Sequence, residues 1–216
     1  MSKTIIVSGG MLDETVVKQV LDDCEDKCII AADKGVEFLY KNNIMPQYIV
    51  GDFDSIDKEI IDYYRNETEV PIREYNPVKD ASDTEIAMRL GMTLGSRDMV
   101  ILGATGGRID HLWANIQSLV IACKAGVNAC IIDPQNKIYV TDKSVTIKKA
   151  DAYGQYLSVF AIGGEIYDFS MSGTKWELDH HDLKPYDSLT VSNCFVKDEV
   201  RIEFQEGILV IMETRD

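Results

Sequence analysis

From residue 4 to about residue 132, short apolar runs alternate with longer stretches in which apolar positions recur three and four apart, and turn residues separate the two kinds. A run that is apolar throughout suits a strand covered on both faces, and the helical period suits a helix lying on such a sheet. Strands are thereby predicted at 4–8, 28–32, 48–51, 70–75, 99–102 and 129–133, and helices at 12–23, 35–42, 58–66, 83–94 and 112–125. Strand and helix in strict alternation is the pattern of a parallel sheet wound with crossover helices. Beyond about residue 136 the helical period disappears. Val, Ile, Tyr and Thr recur instead in short alternating runs at 156–161, 188–191, 200–204 and 208–213, with Glu206-Gly207 as a hairpin signal between the last two. The expected fold class is α/β, a Rossmann-like wound parallel sheet over residues 1–136 followed by a C-terminal antiparallel β-sandwich over 137–216.

Composition narrows the functions open to such a chain. With 216 residues and 45% hydrophobic content it can build a proper core, which excludes a disordered chain. A formal net charge of −14 argues against nucleic acid or an acidic membrane as partner, since both would repel it. No stretch approaches the 18 or so apolar residues that a membrane helix needs, and the N-terminal residues run straight into a strand pattern. A cytoplasmic protein is expected. The five cysteines, Cys24, Cys28, Cys123, Cys130 and Cys194, are odd in number and lack framework spacing, which fits a reducing compartment. Cys24 and Cys28 have no second Cys or His pair at ligand spacing, so a structural zinc is not expected. His180-His181 reads as an exposed loop, and His111 acquires no role.

In an open parallel sheet, ligands bind outside the carboxyl ends of the strands, and here those positions are acidic. The second predicted strand ends in Asp33, and the third in Gly51-Asp52-Phe53-Asp54-Ser55. The fourth is followed by Lys79-Asp80-Ala81-Ser82-Asp83-Thr84-Glu85. In an extended Asp-x-Asp both carboxylates face one way. Two such charges about 4 Å apart repel by roughly 4 kcal/mol at an effective dielectric of 20, a penalty that a divalent cation removes. Hard carboxylate oxygens with no His or Cys nearby in sequence point to Mg²⁺ at the Asp52 and Asp54 pair. The competing reading makes Asp33, Asp54 and Ser82 helix N-caps, with Ser82 and Glu85 as a capping box. After the fifth strand, residues 103–110 read as a turn whose glycines, Gly106 and Gly107 among them, let the backbone approach a ligand while Arg108 offers a planar donor fork. Neither a Walker loop nor a dinucleotide fingerprint is present. Lys79 and Arg108 beside the carboxylates supply the positive charge that phosphoryl transfer needs.

Taken in order, Ala32-Asp33-Lys34-Gly35, Gly51–Ser55, Lys79–Glu85, Gly106-Gly107-Arg108-Ile109-Asp110-His111 and Ser172-Gly173-Thr174-Lys175-Trp176 resemble the thiamine pyrophosphokinase family over nearly the whole chain. The resemblance implies diphosphate transfer from ATP to thiamine, giving thiamine diphosphate and AMP, with Mg²⁺ required. It also implies a homodimer whose thiamine sites lie between subunits. Carried over by position, Asp33, Asp52, Asp54 and Asp83 are the metal and phosphate-site carboxylates, and Lys79, Ser82, Arg108 and Asp110 help hold the nucleotide. Trp176 is the aromatic that stacks on the thiamine pyrimidine, with Ser192-Asn193 close by. Ser82 stands where Thr is common, and Thr174 where an apolar residue is usual. Two other readings share parts of this pattern: a pyrophosphokinase for another heterocyclic alcohol such as a hydroxymethylpterin, and a sensor without turnover.

Overall fold

The computed structural model describes residues 3–75 and 81–216. They form two compact units, one made of the chain up to Ser118 together with Ala125–Pro134, the other of Leu119–Lys124 and Gln135–Asp216.

The first unit carries β1 (Lys3–Val7), β2 (Lys27–Ala32), β3 (Tyr48–Gly51), β4 (Ile72–Glu74), β5 (Asp98–Leu102) and β6 (Asn128–Ile132), all parallel, in the order β6-β5-β1-β2-β3-β4. Between them run α1 (Glu14–Asp22), α2 (Gly35–Lys41), α3 (Lys58–Glu67), α4 (Asp83–Thr93) and α5 (Ile109–Lys124). Alternate side chains leave a strand on opposite faces. Ile5, Val7, Ile29, Ala31 and Ile49 therefore share one face and pack with Val17, Leu21, Val36, Leu39, Ile60, Ile61 and Tyr64 of α1 to α3. Helix α4 lies on β1, β2 and β3 through Ala87, Met88 and Leu90. Fully burying one such aliphatic side chain contributes about 1.5–3 kcal/mol, so this two-faced covering is what holds the strands in place. Register then brings the strand ends abreast, with Val7 opposite both Ala31 and Leu102, and Ala32 opposite Val50. The chain leaves β1 toward β2 on one side and returns to β5 on the other, which makes β1/β5 the topological switch point. The strand expected at 70–75 is shorter, because Pro71 has no N–H to give the ladder and only its carbonyl pairs, with Ile49 N.

The second unit is a sandwich of two antiparallel sheets. One contains β12 (Asn193–Cys194), β9 (Tyr156–Ala161), β14 (Leu209–Thr214) and β7 (Asn136–Thr141) in that order. The other has β11 (Leu178–Leu183), β10 (Ile166–Ser172), β13 (Glu199–Glu203) and β8 (Val145–Lys148). Leu157, Val159, Leu209 and Ile211 from the first meet Ile147, Phe169, Met171, Val200 and Ile202 from the second in one core.

Three expectations fail in this half. Glu206-Gly207 does not close a hairpin: β13 pairs with β10 and β8 while β14 pairs with β7 and β9, so the connection crosses from one sheet to the other. Residues 188–191 form a turn, with Val191 N donating to Ser188 O, and Leu189 and Val191 exposed. The run alternates because Thr190 alone turns inward, donating its hydroxyl to Val159 O. His180-His181 is not a loop but lies on β11, at a bulge where His180 takes a φ of 48° and pairs with Asp168 across the ladder.

Candidate active site

The loops after β1, β2 and β5 and the first turns of α4 and α5 enclose a crevice of about 560 Å³ at the switch point. Ser8, Gly9, Gly10, Asp33, Ser82, Asp83, Thr105, Gly106, Gly107 and Arg108 are among the residues that line it. Its walls are tied by backbone bonds: Gly10 N donates to Gly103 O at 2.8 Å and Met11 N to Thr105 O at 2.9 Å. Asn115 Nδ2, buried on α5, donates to Ala104 O at 2.9 Å, and the buried hydroxyls of Ser8 and Thr84 meet at 3.0 Å. Gly10 has to be glycine, since a Cβ there would fall 2.4 Å from Gly103 O and 2.6 Å from Thr105 O. Ser8, Gly9, Gly10 and Asn115 belong to none of the motifs that mark the site in the sequence. The signal existed, because Ser8-Gly9-Gly10 is the carboxyl end of β1 and obeys the same strand-end rule as Asp33.

Asp33 sits at the centre of the acidic group. Its backbone is left-handed, with a φ of 49°, and its carboxylate caps no helix: α2 begins after Lys34 without a side-chain cap. Burial pushes its carboxyl above the ordinary range, the Lys34 backbone N–H pulls it back, and the like charges of Asp83 and Asp52 push it up further. Ser55 Oγ reaches Asp33 Oδ1 at 3.4 Å. The Asp52-Phe53-Asp54 run is not extended as the sequence implied. Phe53 takes a φ of 60° and turns its ring into the core, where it lies over Gly51 so closely that a Cβ there would meet ring carbon Cε1 at 2.9 Å. Asp52 is left half-buried and Asp54 exposed, so the two carboxylates do not present one face by simple alternation. Asp54 caps nothing either, since Asp57 caps α3 by accepting from Glu59 N.

Ser82 does cap its helix, accepting from Glu85 N at 3.3 Å, but Glu85 does not close the reciprocal half of a capping box: its carboxylate takes Arg89 Nε at 2.8 Å. Ser82→Ala should therefore cost about 1 kcal/mol of stability by chemical denaturation, the ordinary worth of an N-cap. Arg108 and Asp110 are both exposed and form a two-bond pair, Nε to Oδ1 at 3.1 Å and Nη2 to Oδ2 at 2.5 Å. That pairing holds the Asp110 carboxyl below its usual range and raises Arg108. Lys79 lies outside the described residues.

Two helix N-termini, a guanidinium and a glycine-lined floor make the crevice a site for an anion such as a polyphosphate. Carboxylates among those donors would repel the same anion, which is the chemistry of a site completed by a hard cation. Among the described residues no three His, Cys, Asp or Glu side chains stand together as a ready cage. Mg²⁺ does not demand one, because it keeps waters and takes one or two carboxylates plus substrate phosphates. Asp33, with Asp52 and Asp83 near enough to shift its protonation, fits that donor set.

In the second unit Trp176 leaves 51% of its surface exposed, with Lys175 Nζ 4.6 Å from its ring centroid. Ser192, exposed and at a φ of 55°, precedes Asn193, which is fully buried. Asn193 Oδ1 accepts from Trp176 N at 3.1 Å and its Nδ2 donates to Trp176 O at 2.8 Å.

Known proteins share both units. The family model for the thiamin pyrophosphokinase catalytic domain matches residues 18–131, more than half of the chain, and that for the thiamin pyrophosphokinase vitamin B1 binding domain matches 144–209. A thiamine pyrophosphokinase of Bacillus subtilis (strain 168) is 29% identical over 217 residues, 99% of this chain and 100% of the relative. The crystal structure of thiamine pyrophosphokinase from Bacillus subtilis superposes with a TM-score of 0.88 at 26% identity, covering 100% of both chains. That of thiamin pyrophosphokinase from Geobacillus thermodenitrificans gives 0.84 at 26% identity over 100% of this chain and 98% of the other. With two family models in sequence and relatives matched along the whole chain, the chain belongs to the thiamin pyrophosphokinase family, and is an enzyme of that kind.

Proposed function

We propose that the chain transfers the diphosphate of ATP to the primary hydroxyl of thiamine, and that the crevice at the β1/β5 switch point holds the triphosphate. The observation that carries this reading is Asp33, a partly desolvated carboxylate flanked by Asp83 and Asp52 and facing the same crevice as Arg108 and two helix N-termini. The hydroxyl oxygen bonds to the β-phosphorus and gives its proton to a carboxylate of the acidic group, the bond from that phosphorus to the oxygen it shares with the α-phosphorus breaks, and AMP leaves with that oxygen. The first turns of α4 and α5 and the Gly106-Gly107 backbone orient the phosphates, with Ser82 keeping the α4 end in place. Arg108 exchanges Asp110 for the transferred group, whose charge it stabilises. Lys79 adds a second cation. Asp33, Asp52 and Asp83 would hold Mg²⁺, with Asp54, two residues beyond Asp52, as the fourth candidate ligand. The ion, when bound, neutralises phosphate oxygens and makes the β-phosphorus a better electrophile.

Thiamine carries a permanent positive charge, which suits an acidic protein and an exposed indole face, here Trp176 with Ser192 beside it. We infer further that two copies pair with thiamine taken between subunits, and that the enzyme works in the cytoplasm. No helix among the described residues is long and apolar enough to cross a membrane.

The reading is tested by AMP release. ATP, Mg²⁺ and thiamine together should yield AMP and thiamine diphosphate in equal amounts, and excess EDTA should reduce turnover to background. A hydroxymethylpterin in place of thiamine should give no product. Turnover with the pterin alone would reassign the substrate, and binding without AMP release would make the chain a sensor.

A further inference from the structure

We propose that Asn193 is a positioning residue, whose buried carboxamide fixes the backbone of Trp176 so that its indole stands ready for the thiamine ring. The proposal rests on the reading of Trp176 as the thiamine-stacking aromatic. Asn193 is 0% exposed, so it cannot itself reach a ligand from this position. Its carboxamide instead serves residue 176 at both ends, accepting from Trp176 N at 3.1 Å and donating to Trp176 O at 2.8 Å. The same oxygen accepts from Cys194 N at 3.0 Å. Thr174, also buried, donates its hydroxyl to Trp176 O at 3.2 Å.

Trp176 lies outside any strand, between β10 and β11, so no ladder partner satisfies its backbone. The Asn193 side chain takes the place of one. Its neighbours are tied to the same segment: Lys175 N donates to Cys194 O, and Gly173 O accepts from Val196 N and Lys197 N, each at 3.0 Å.

Buried polar side chains ordinarily satisfy backbone that has no ladder partner, and here the backbone they secure carries a large indole presented to solvent. Locking it costs conformational entropy and returns little packing. The expense makes sense where a ring must be presented in one orientation, so that a ligand does not have to order it on binding. The Thr174 hydroxyl has the same explanation, since an apolar residue in its place could not hold the Trp176 carbonyl.

The test compares Asn193→Ala and Thr174→Val with Trp176→Ala, all in a Trp113→Phe background that leaves Trp176 as the sole indole. Two quantities are read: Michaelis constants from AMP release, and the fluorescence anisotropy of Trp176 without ligand. Asn193→Ala should raise the KM for thiamine about tenfold, the worth of one to two buried hydrogen bonds, with the KM for ATP moving less than about twofold. Thr174→Val should raise it about threefold, as one shared bond would. Both should lower the anisotropy of Trp176. A folded Asn193→Ala protein with unchanged thiamine KM and unchanged anisotropy overturns the proposal, and if that variant does not fold, the same result in Thr174→Val does so. The underlying reading fails differently: Trp176→Ala would then leave the thiamine KM unmoved, whatever the anisotropy of the other variants shows.

Discussion

Replacing Asp33 by Asn is expected to lower diphosphate transfer about a thousandfold, the scale on which loss of one preorganised electrostatic group acts, while raising the melting temperature of the ligand-free protein. Asn is nearly isosteric with Asp, tolerates the left-handed backbone at φ 49°, and its amide oxygen can still accept from Ser55 Oγ. The fold should therefore survive. The gain in stability follows from the direction of the carboxyl shift. Burial and the charges of Asp83 and Asp52 raise the Asp33 pKa in the folded protein above its unfolded value. The stability Asp33 contributes is fully present below the unfolded pKa and is lost as pH rises through the folded one. Asn pays no such penalty at any pH. The difference in melting temperature should thus be small near about pH 4, where an ordinary Asp begins to ionise, and widen toward neutrality. Mg²⁺ with a non-hydrolysable ATP analogue should reverse the order, because a ligand's stabilisation grows with the logarithm of its concentration over Kd and the variant binds it less well. Equal melting curves at neutral pH, or a variant that retains its rate, would remove Asp33 from the centre of the site.

The same residue shows why the first unit was legible in sequence and where legibility stopped. Runs such as Ile5-Ile6-Val7 and Cys28-Ile29-Ile30-Ala31-Ala32 are apolar on both faces because helices cover both faces, and their short length, turn residues at the ends and β-branched content fit a buried parallel strand better than a helix. Strand ends follow from strands, so Asp33, Asp52 and the 103–108 turn could be placed on one edge. The backbone at those ends could not. Phe53 is an apolar residue between two aspartates, and the ordinary expectation of an extended run fails because the core claims its ring by way of a left-handed turn. Sequence separation hid the Ser8–Thr84 and Asn115–Ala104 contacts, which need the folded sheet to bring positions 76 and 11 residues apart together. In the second unit the period of two recurs in turns as well as strands. Thr190 turns inward from a turn just as a strand residue would, and Glu206-Gly207 carries hairpin chemistry while joining two different sheets. A local pattern identifies a reversal of the chain but not the strand it will pair with.

Trp176→Ala should raise the KM for thiamine about thirtyfold, equivalent to about 2 kcal/mol for loss of an aromatic platform under a cationic ring. It should leave the KM for ATP and the melting temperature close to wild type. The small effect on stability is part of the argument. With half of its surface exposed, the indole contributes little to the sandwich core, which is built from Phe169, Met171, Val200 and Ile202 in one sheet and Leu157, Val159 and Ile211 in the other. Trp176→Phe keeps a smaller aromatic face and should recover part of the affinity, whereas Trp176→Leu, apolar but without a quadrupole, should recover less. That order separates stacking on a cationic heterocycle from simple hydrophobic contact, which would rank Leu with Phe. Lys175 sharpens the test, because its ammonium already lies 4.6 Å from the ring centroid and a second cation must displace it. Lys175→Met should therefore tighten thiamine in the wild-type background and change nothing once Trp176 is Ala. If Trp176→Ala instead raised the KM for ATP, the assignment of nucleotide to the crevice of the first unit and thiamine to the indole of the second would be wrong.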